Sequence, residues 1–162
     1  MIDLSIDWLQ IGTHLMHLAM AFLLALPIGW DREQAVRSAG LRTFPLVAIA
    51  ACSFVLVARQ VSGGSAEAQA RIIEGLMTGI GFIGGGAILK TGVSVHGTAT
   101  AASIWNTGAL GAAVAYDMPE IALVLSLVNF ATLRWLGGLK QHLRRSPEEV
   151  PDDGHGGDPL RS

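Results

Sequence analysis

Between Glu74 and Lys90 the chain carries no charge but six glycines, in the run Gly75-Leu-Met-Thr-Gly-Ile-Gly-Phe-Ile-Gly-Gly-Gly-Ala-Ile-Leu89. In water, each glycine inside a helix is roughly 1 kcal/mol worse than alanine. In a bilayer the same residues are useful, because water no longer drives helices together and small residues let their backbones approach closely. Gly75 and Gly79 are spaced four apart, as are Gly81 and Gly85. Both pairs are expected to close-pack against neighbouring helices, and the segment points to a polytopic membrane protein.

The rest of the chain agrees. Of 162 residues, 51% are hydrophobic and only 15% are charged, with a mean hydropathy of +0.46. That is too apolar for an ordinary soluble domain. The net charge of -2 comes without a single-sign patch, which argues against nucleic-acid binding. The single cysteine, Cys52, lies in an apolar run and reads as a small buried hydrophobe.

Charge-free length divides the chain into about five spans. The first, between Trp8 and Trp30, is about 30 Å long as a helix, the thickness of a hydrocarbon core, with a tryptophan at each end for the interface. Asp3 and Asp7 precede it without a positive charge, so it is not a cleaved signal peptide. The second runs from Thr43 to Val61, with Arg59 able to snorkel; the third from Arg71 to Lys90; the fourth from Gly97 to Tyr116. The fifth, from Pro119 to Gly138, needs Arg134 to snorkel and Trp135 to sit at the interface. All five are expected to be helical, since open sheet edges do not survive in lipid. With five spans, Arg32, Arg37, Arg42, Lys90, Arg134, Lys140, Arg144, Arg145 and Arg161 fall on one side, leaving only Arg59 and Arg71 on the other. The positive-inside rule then places the N-terminus outside and the C-terminus in the cytoplasm. Residues 1–145 form the membrane domain, and the acidic, proline- and glycine-broken tail 146–162 is expected to be disordered.

Several motifs have competing explanations. Gly79-Ile-Gly-Phe-Ile-Gly84 matches the dinucleotide fingerprint in letters, but no strand precedes it and no acidic residue follows at the ribose position. The glycines serve either close packing or a broken helix lining a cavity. In Asp31-Arg-Glu-Gln-Ala-Val-Arg-Ser-Ala-Gly-Leu-Arg-Thr43, Asp31 and Glu33 are oxygen donors of the kind Mg2+ prefers. The interleaved arginines favour instead an Arg–carboxylate network fixing the loop, or a surface for a partner or lipid headgroup. Thr98, Thr100, Ser103, Asn106 and Thr107 run along the fourth span, with Thr100, Ser103 and Thr107 on one face. They serve interhelical hydrogen bonds or a polar path, and Asn106 in particular should face another helix. Trp105 is expected to fill a gap opposite glycines. His14 and His17 share a face of the first span but fall short of a metal or proton-relay set. Glu74 is expected to pair with Arg71 or Arg59. No nucleophile–base arrangement and no metal-hydrolase spacing occurs, so neither enzymatic activity nor a cofactor is expected.

Four blocks in order, Gly29-Trp-Asp-Arg-Glu33, Ala39-Gly-Leu-Arg-Thr43, Thr78-Gly-Ile-Gly-Phe-Ile-Gly-Gly-Gly-Ala-Ile88 and Gly97-Thr-Ala-Thr-Ala-Ala-Ser-Ile-Trp105, resemble the MgtC/SapB family of bacterial inner-membrane proteins over about residues 20–115. The resemblance makes Gly29 a motif residue and places Arg32, Glu33, Gly40, Arg42 and Thr43 at the family's first cytoplasmic loop. It places Gly79, Gly81, Phe82, Gly84 and Gly86 on its glycine helix, and Thr100, Ala101, Ala102 and Trp105 on its threonine-alanine helix. Asp31, Gly85 and Thr98-Ala99 depart from the usual residues but keep charge or small, polar character. The family implies a non-enzymatic multi-pass protein of the bacterial inner membrane that affects Mg2+ homeostasis. Such a protein would act through a membrane-protein partner, the ATP synthase being one the family suggests, or as a transporter or channel subunit. Pairing with a second copy through the glycine helix is a further expectation. The soluble C-terminal domain of longer members has no counterpart here, so a regulatory role carried by that domain does not transfer.

Overall fold

The computed structural model describes residues 7–35, 39–63 and 65–136. The tail 146–162 lies outside them, as do Arg37, Lys140, Arg144, Arg145 and Arg161. Five helices follow in order: α1 (Trp8–Ala35), α2 (Thr43–Val61), α3 (Ala66–Gly86), α4 (Thr98–Ala115) and α5 (Pro119–Ala131), the last continued by a π-helical turn, Thr132–Leu136.

Their starts follow from local chemistry. Asp7 accepts hydrogen bonds from the backbone N–H groups of Leu9 (2.9 Å) and Gln10 (3.3 Å), satisfying donors that an α-helix leaves unpaired. Ser65 does the same for Ala68 at the start of α3. Pro119 opens α5, with Glu120 in the first turn, where a missing N–H does no harm and a negative charge suits the helix dipole.

Between α3 and α4 the chain forms a small antiparallel hairpin, β1 (Leu89–Thr91) with β2 (Ser94–His96), in the register Leu89↔His96 and Thr91↔Ser94. The two-residue turn has Gly92 at φ 61°, the positive-φ first position that a type II′ turn requires. The all-helical expectation missed this pair. It is short and exposed along its length, at the rim of the bundle.

Helix α4 is the centre of the bundle and contacts each of the other four helices, whereas α3 lies at the edge against α4 and α2. The core is built largely from small side chains, among them Ala21 and Ala25 on α1, Ala48, Ala51 and Cys52 on α2, Ala115 on α4 and Ala122 on α5, with Phe44, Ile28, Ile104 and Leu110 as its largest members. Small residues at helix contacts and large ones outside are the arrangement of a bundle in lipid. Leu23 (61% exposed), Phe54 (63%) and Leu127 (59%) are among many large apolar side chains left on the outside of α1, α2 and α5, a surface that suits lipid better than water. Among the described residues, three helical segments are long and apolar enough to cross a membrane: Trp8–Gln34, Thr43–Val61 and Pro119–Leu136. Helices α3 and α4 are richer in glycine, alanine and threonine and fall short of that apolarity.

The glycines of α3 do not behave as expected. A Cβ added at Gly75, Gly79, Gly81, Gly85 or Gly86 would meet nothing within 4 Å; at Gly84 it would lie 3.1 Å from the Ala101 carbonyl oxygen. The helix packs through Leu76, Ile80 and Gly84, one row spaced by four. Both glycine pairs lie off that row, so neither holds the bundle together. Close backbone approach occurs instead on α4. A Cβ at Gly111 would run into the Ala48 carbonyl oxygen and come 3.0 Å from the Ala51 Cβ, and one at Gly108 would collide with Ile80.

Candidate functional site

The described residues of the charged motif, 31–35 and 39–43, bring its two ends together. Arg32 donates to Asp31 through Nη2 at 2.7 Å and Nε at 3.3 Å, and both side chains are buried (8% and 7% exposed). Glu33 turns the other way and accepts the backbone N–H of Leu41 at 3.0 Å. Gly29 and Gly40 let the end of α1 lie directly on this segment. A Cβ at Gly29 would be 3.2 Å from Leu41 Cα and one at Gly40 would run into the Glu33 carboxylate. The carbonyl of Gly40 then accepts the N–H groups of Thr43 (3.0 Å) and Phe44 (3.2 Å), starting α2. Gly29, Asp31, Arg32, Glu33 and Gly40 therefore each have a structural role at this corner. Asp31 and Glu33 are held by different donors and do not converge. Among the described residues no three His, Cys, Asp or Glu side chains are grouped to hold a metal ion.

The polar face of α4 is largely consumed inside the bundle. Thr100, Ser103 and Thr107 are buried. Ser103 donates to Asn129 Oδ1 at 2.9 Å, Asn129 donates back to the Ser103 carbonyl at 3.3 Å, and Thr107 donates to the same carbonyl at 2.8 Å. One turn along α5, Ser126 donates to the Leu24 carbonyl at 2.6 Å. These bonds tie α4 to α5 and α5 to α1. Asn129 and Ser126 were not singled out from the sequence. A polar residue inside an apolar span was the available signal. Asn106, expected to face a neighbouring helix, is only half-buried.

Trp105 is 44% exposed. It lines a recess of about 180 Å³ between α4 and the Ile73, Leu76 and Ile80 side of α3, rather than sitting opposite the glycines of α3. Ala101 is half-buried against Gly84, and Ala102 is exposed. Phe82 projects outward, 86% exposed. Beside it, a groove of about 900 Å³ runs between α2 and α3 from Arg42 and Thr43 to Val61; Phe54, Gly75, Gly79 and Ile83 are among its walls. Gly75 and Gly79 thus border open apolar space.

At the opposite end of the bundle, the pairing expected for Glu74 is replaced. Arg71 pairs with Glu67 at 2.8 Å, one helical turn away. Arg59 pairs with Asp117 at 2.8 Å, and His17 reaches the other oxygen of the same carboxylate at 2.8 Å. His14 is half-buried one turn before His17, its Nδ1 enclosed and without a partner.

A buried Arg–Asp corner joined to a helix by two glycines, followed by an edge helix of glycines packed on a Thr-Ala helix, is the arrangement carried by the four sequence blocks. The sequence model of the MgtC family matches residues 18–142. The chain belongs to the MgtC family. Protein SrpB of Synechococcus elongatus is 36% identical over 157 residues, covering 86% of this chain and 85% of that protein. Protein MgtC of Brucella abortus is 40% identical over 126 residues, 78% of this chain but 52% of its own length. Protein MgtC of Salmonella typhimurium is 34% identical over 134 residues, 83% of this chain and 57% of its own length. The chain thus corresponds to nearly the whole of SrpB and to little more than half of the MgtC proteins. No solved structure matches it. Family and apolar helices together identify a membrane protein.

Proposed function

We propose that this chain is a five-span, non-enzymatic protein of the bacterial inner membrane that contributes to Mg2+ homeostasis by docking against another membrane protein, not by carrying the ion itself. The observation that carries this reading is the division of labour between α3 and α4. The polar side chains Ser103 and Thr107 of α4 are bonded within the bundle, while a Cβ at Gly75, Gly79, Gly81, Gly85 or Gly86 on α3 would meet nothing within 4 Å, and Gly75 and Gly79 line the α2–α3 groove. A glycine-lined apolar groove accepts a helix closely, because backbones can approach to van der Waals contact where side chains are missing. The Mg2+ connection rests on the family, whose members are implicated in magnesium homeostasis, and the ATP synthase is one partner of suitable kind. The orientation follows the positive-inside rule, with the Asp31–Thr43 corner and the hairpin in the cytoplasm.

The test is purification of the tagged chain in mild detergent after cross-linking in cells. Wild type is expected to bring down a membrane protein in stoichiometric amount. Gly79→Leu fills the groove from a position where an added Cβ meets nothing within 4 Å, and is expected to release that partner while remaining folded. Failure of wild type to capture a partner contradicts the reading, as does Mg2+ flux into liposomes containing this chain alone.

A further inference from the structure

His17, Arg59 and Asp117 come from three separate parts of the chain and meet at one end of the bundle, around a polar recess of about 390 Å³ that Thr13 and His14 also line. His17 lies on α1, Arg59 in the last turn of α2, and Asp117 in the turn that joins α4 to α5. Asp117 has a left-handed backbone, φ 58°, which aspartate adopts more readily than most residues.

The imidazole of His17 is held from both sides. Its Nδ1 lies 2.8 Å from the Thr13 carbonyl oxygen and its Nε2 lies 2.8 Å from Asp117 Oδ1. A carbonyl oxygen only accepts, and so does an ionised carboxylate. A neutral histidine has a single N–H, so either tautomer would set a lone pair against an oxygen. Both contacts are hydrogen bonds only when the ring carries both protons. A proton on the carboxyl would offer another solution, but His17 and Arg59 together hold the Asp117 carboxyl below its ordinary range.

Among the described residues the surrounding charges are few. From α2 there is Arg59, which donates to Asp117 Oδ2 at 2.8 Å and to the Ala115 carbonyl, and lies 5.9 Å over the Tyr116 ring. From α1 itself come His14 and, at the N-terminal end, Asp7, which is engaged with the N–H groups of Leu9 and Gln10. Glu120 is exposed in the first turn of α5. With His17 protonated, Asp117 bridges two cations and ties α1 and α2 to the α4–α5 turn.

We propose that His17, Asp117 and Arg59 form a proton-operated latch: protonated His17 holds the N-terminal half of α1 on the α4–α5 turn, and loss of its proton releases it. The Arg59–Asp117 pair survives that loss, so α2 stays attached to the α4–α5 turn. The C-terminal half of α1 stays held by its buried Ala25 and Ile28 and by the Ser126–Leu24 bond, so only the N-terminal half is released. The latch is closed between two limits. At low pH it opens when the Asp117 carboxylate takes a proton, below the ordinary carboxylate range. At the other limit it opens when the imidazole gives up the second ring proton that its two contacts require. This inference rests on neither the docking partner nor the orientation.

The experiment uses the full chain in detergent or lipid nanodiscs. Amide hydrogen exchange of residues 114–122 is followed from about pH 5.5 to about pH 8.5, corrected for intrinsic rates, together with the 15N shifts of the histidine rings. Wild type should show an imidazolium at His17 at the acid end. Protection should fall by about tenfold toward the alkaline end, the scale of one charge-assisted hydrogen bond at a partly exposed site. His17→Gln should abolish the pH response. Asp117→Asn should flatten it too, because an amide can donate to a neutral Nε2 and keep the contact. His14→Gln should leave it intact. A neutral His17 at the acid end, pH-independent protection in wild type, or a response that persists in His17→Gln or disappears in His14→Gln overturns the latch.

Discussion

Replacing Gly111 by alanine adds a single methyl group to the central helix, at a place with no room for it. The new Cβ would run into the Ala48 carbonyl oxygen and lie 3.0 Å from both the Ala48 carbonyl carbon and the Ala51 Cβ. These are backbone and near-backbone atoms, so relief requires α2 and α4 to separate rather than one side chain to turn. Overpacking of this kind costs about 1–3 kcal/mol, with backbone clashes toward the upper end, while the better helix propensity of alanine returns up to about 1 kcal/mol. A net loss of about 2 kcal/mol corresponds to a fall in Tm of roughly 4–8 °C for a chain of this size. The same change at Gly81, which meets nothing within 4 Å, keeps only the favourable part and should raise Tm by roughly 2–4 °C. Cys52 is fully buried and is the only cysteine, so its reaction with a thiol-specific dye during heating in detergent reports unfolding for both variants. Refutation would be a Gly111→Ala protein as stable as wild type, or a Gly81→Ala protein that proves the more damaged of the two.

Asn129→Ala leaves the Ser103 hydroxyl without its side-chain acceptor and is expected to lower stability by about 0.5–2 kcal/mol; combining it with Ser103→Ala should add little, and full additivity in the same thermal assay would mean that the two do not act as a pair. Asp117 has a carboxyl lowered from an ordinary value of 3.8 by its hydrogen bonds to His17 and then Arg59. Its contribution is therefore present above that ordinary value and disappears as pH falls through the lowered one. Wild type should lose stability along that acid limb in detergent unfolding, and Asp117→Asn should lose less, being already without the charge.

Five helices were legible because their ends are written in charges and prolines: Asp31-Arg-Glu33 closes α1, Pro119 opens α5, and few charges interrupt the stretches between. What the glycines do was not legible. A run such as Gly79 to Gly86 permits close packing on any side of a helix, and only the rotation of α3 decides which side is used. That rotation is set by Leu76 and Ile80, which carry the larger apolar area, and it turns Gly81 and Gly85 outward. Of the run, only Gly84 packs closely, while Gly108 and Gly111, which pack at least as tightly, sit in an alanine-rich segment without a conspicuous pattern. The corner around Glu33 and Gly40 was readable as a charge network because its members are near in sequence. The bonds of Asp117 to His17, a hundred residues away, and to Arg59 were not, since local pattern carries no information about pairings at that distance. The hairpin after α3 was passed over although Thr91-Gly92-Val93 marks a turn, because a short strand pair leaves little hydrophobic period to detect.

The central claim is that α4, polar as it is for a spanning helix, crosses the bilayer at the heart of the bundle. Two single cysteines in a Cys52→Ser background test it most directly: Val93→Cys in the hairpin before α4, at a fully exposed position, and Met118→Cys in the turn after it. With a membrane-impermeant thiol reagent on intact cells and on inverted vesicles, Met118→Cys should be labelled from outside and Val93→Cys from the cytoplasmic side. Labelling of both from the same side would mean that α4 does not span, and the five-helix membrane bundle could not stand.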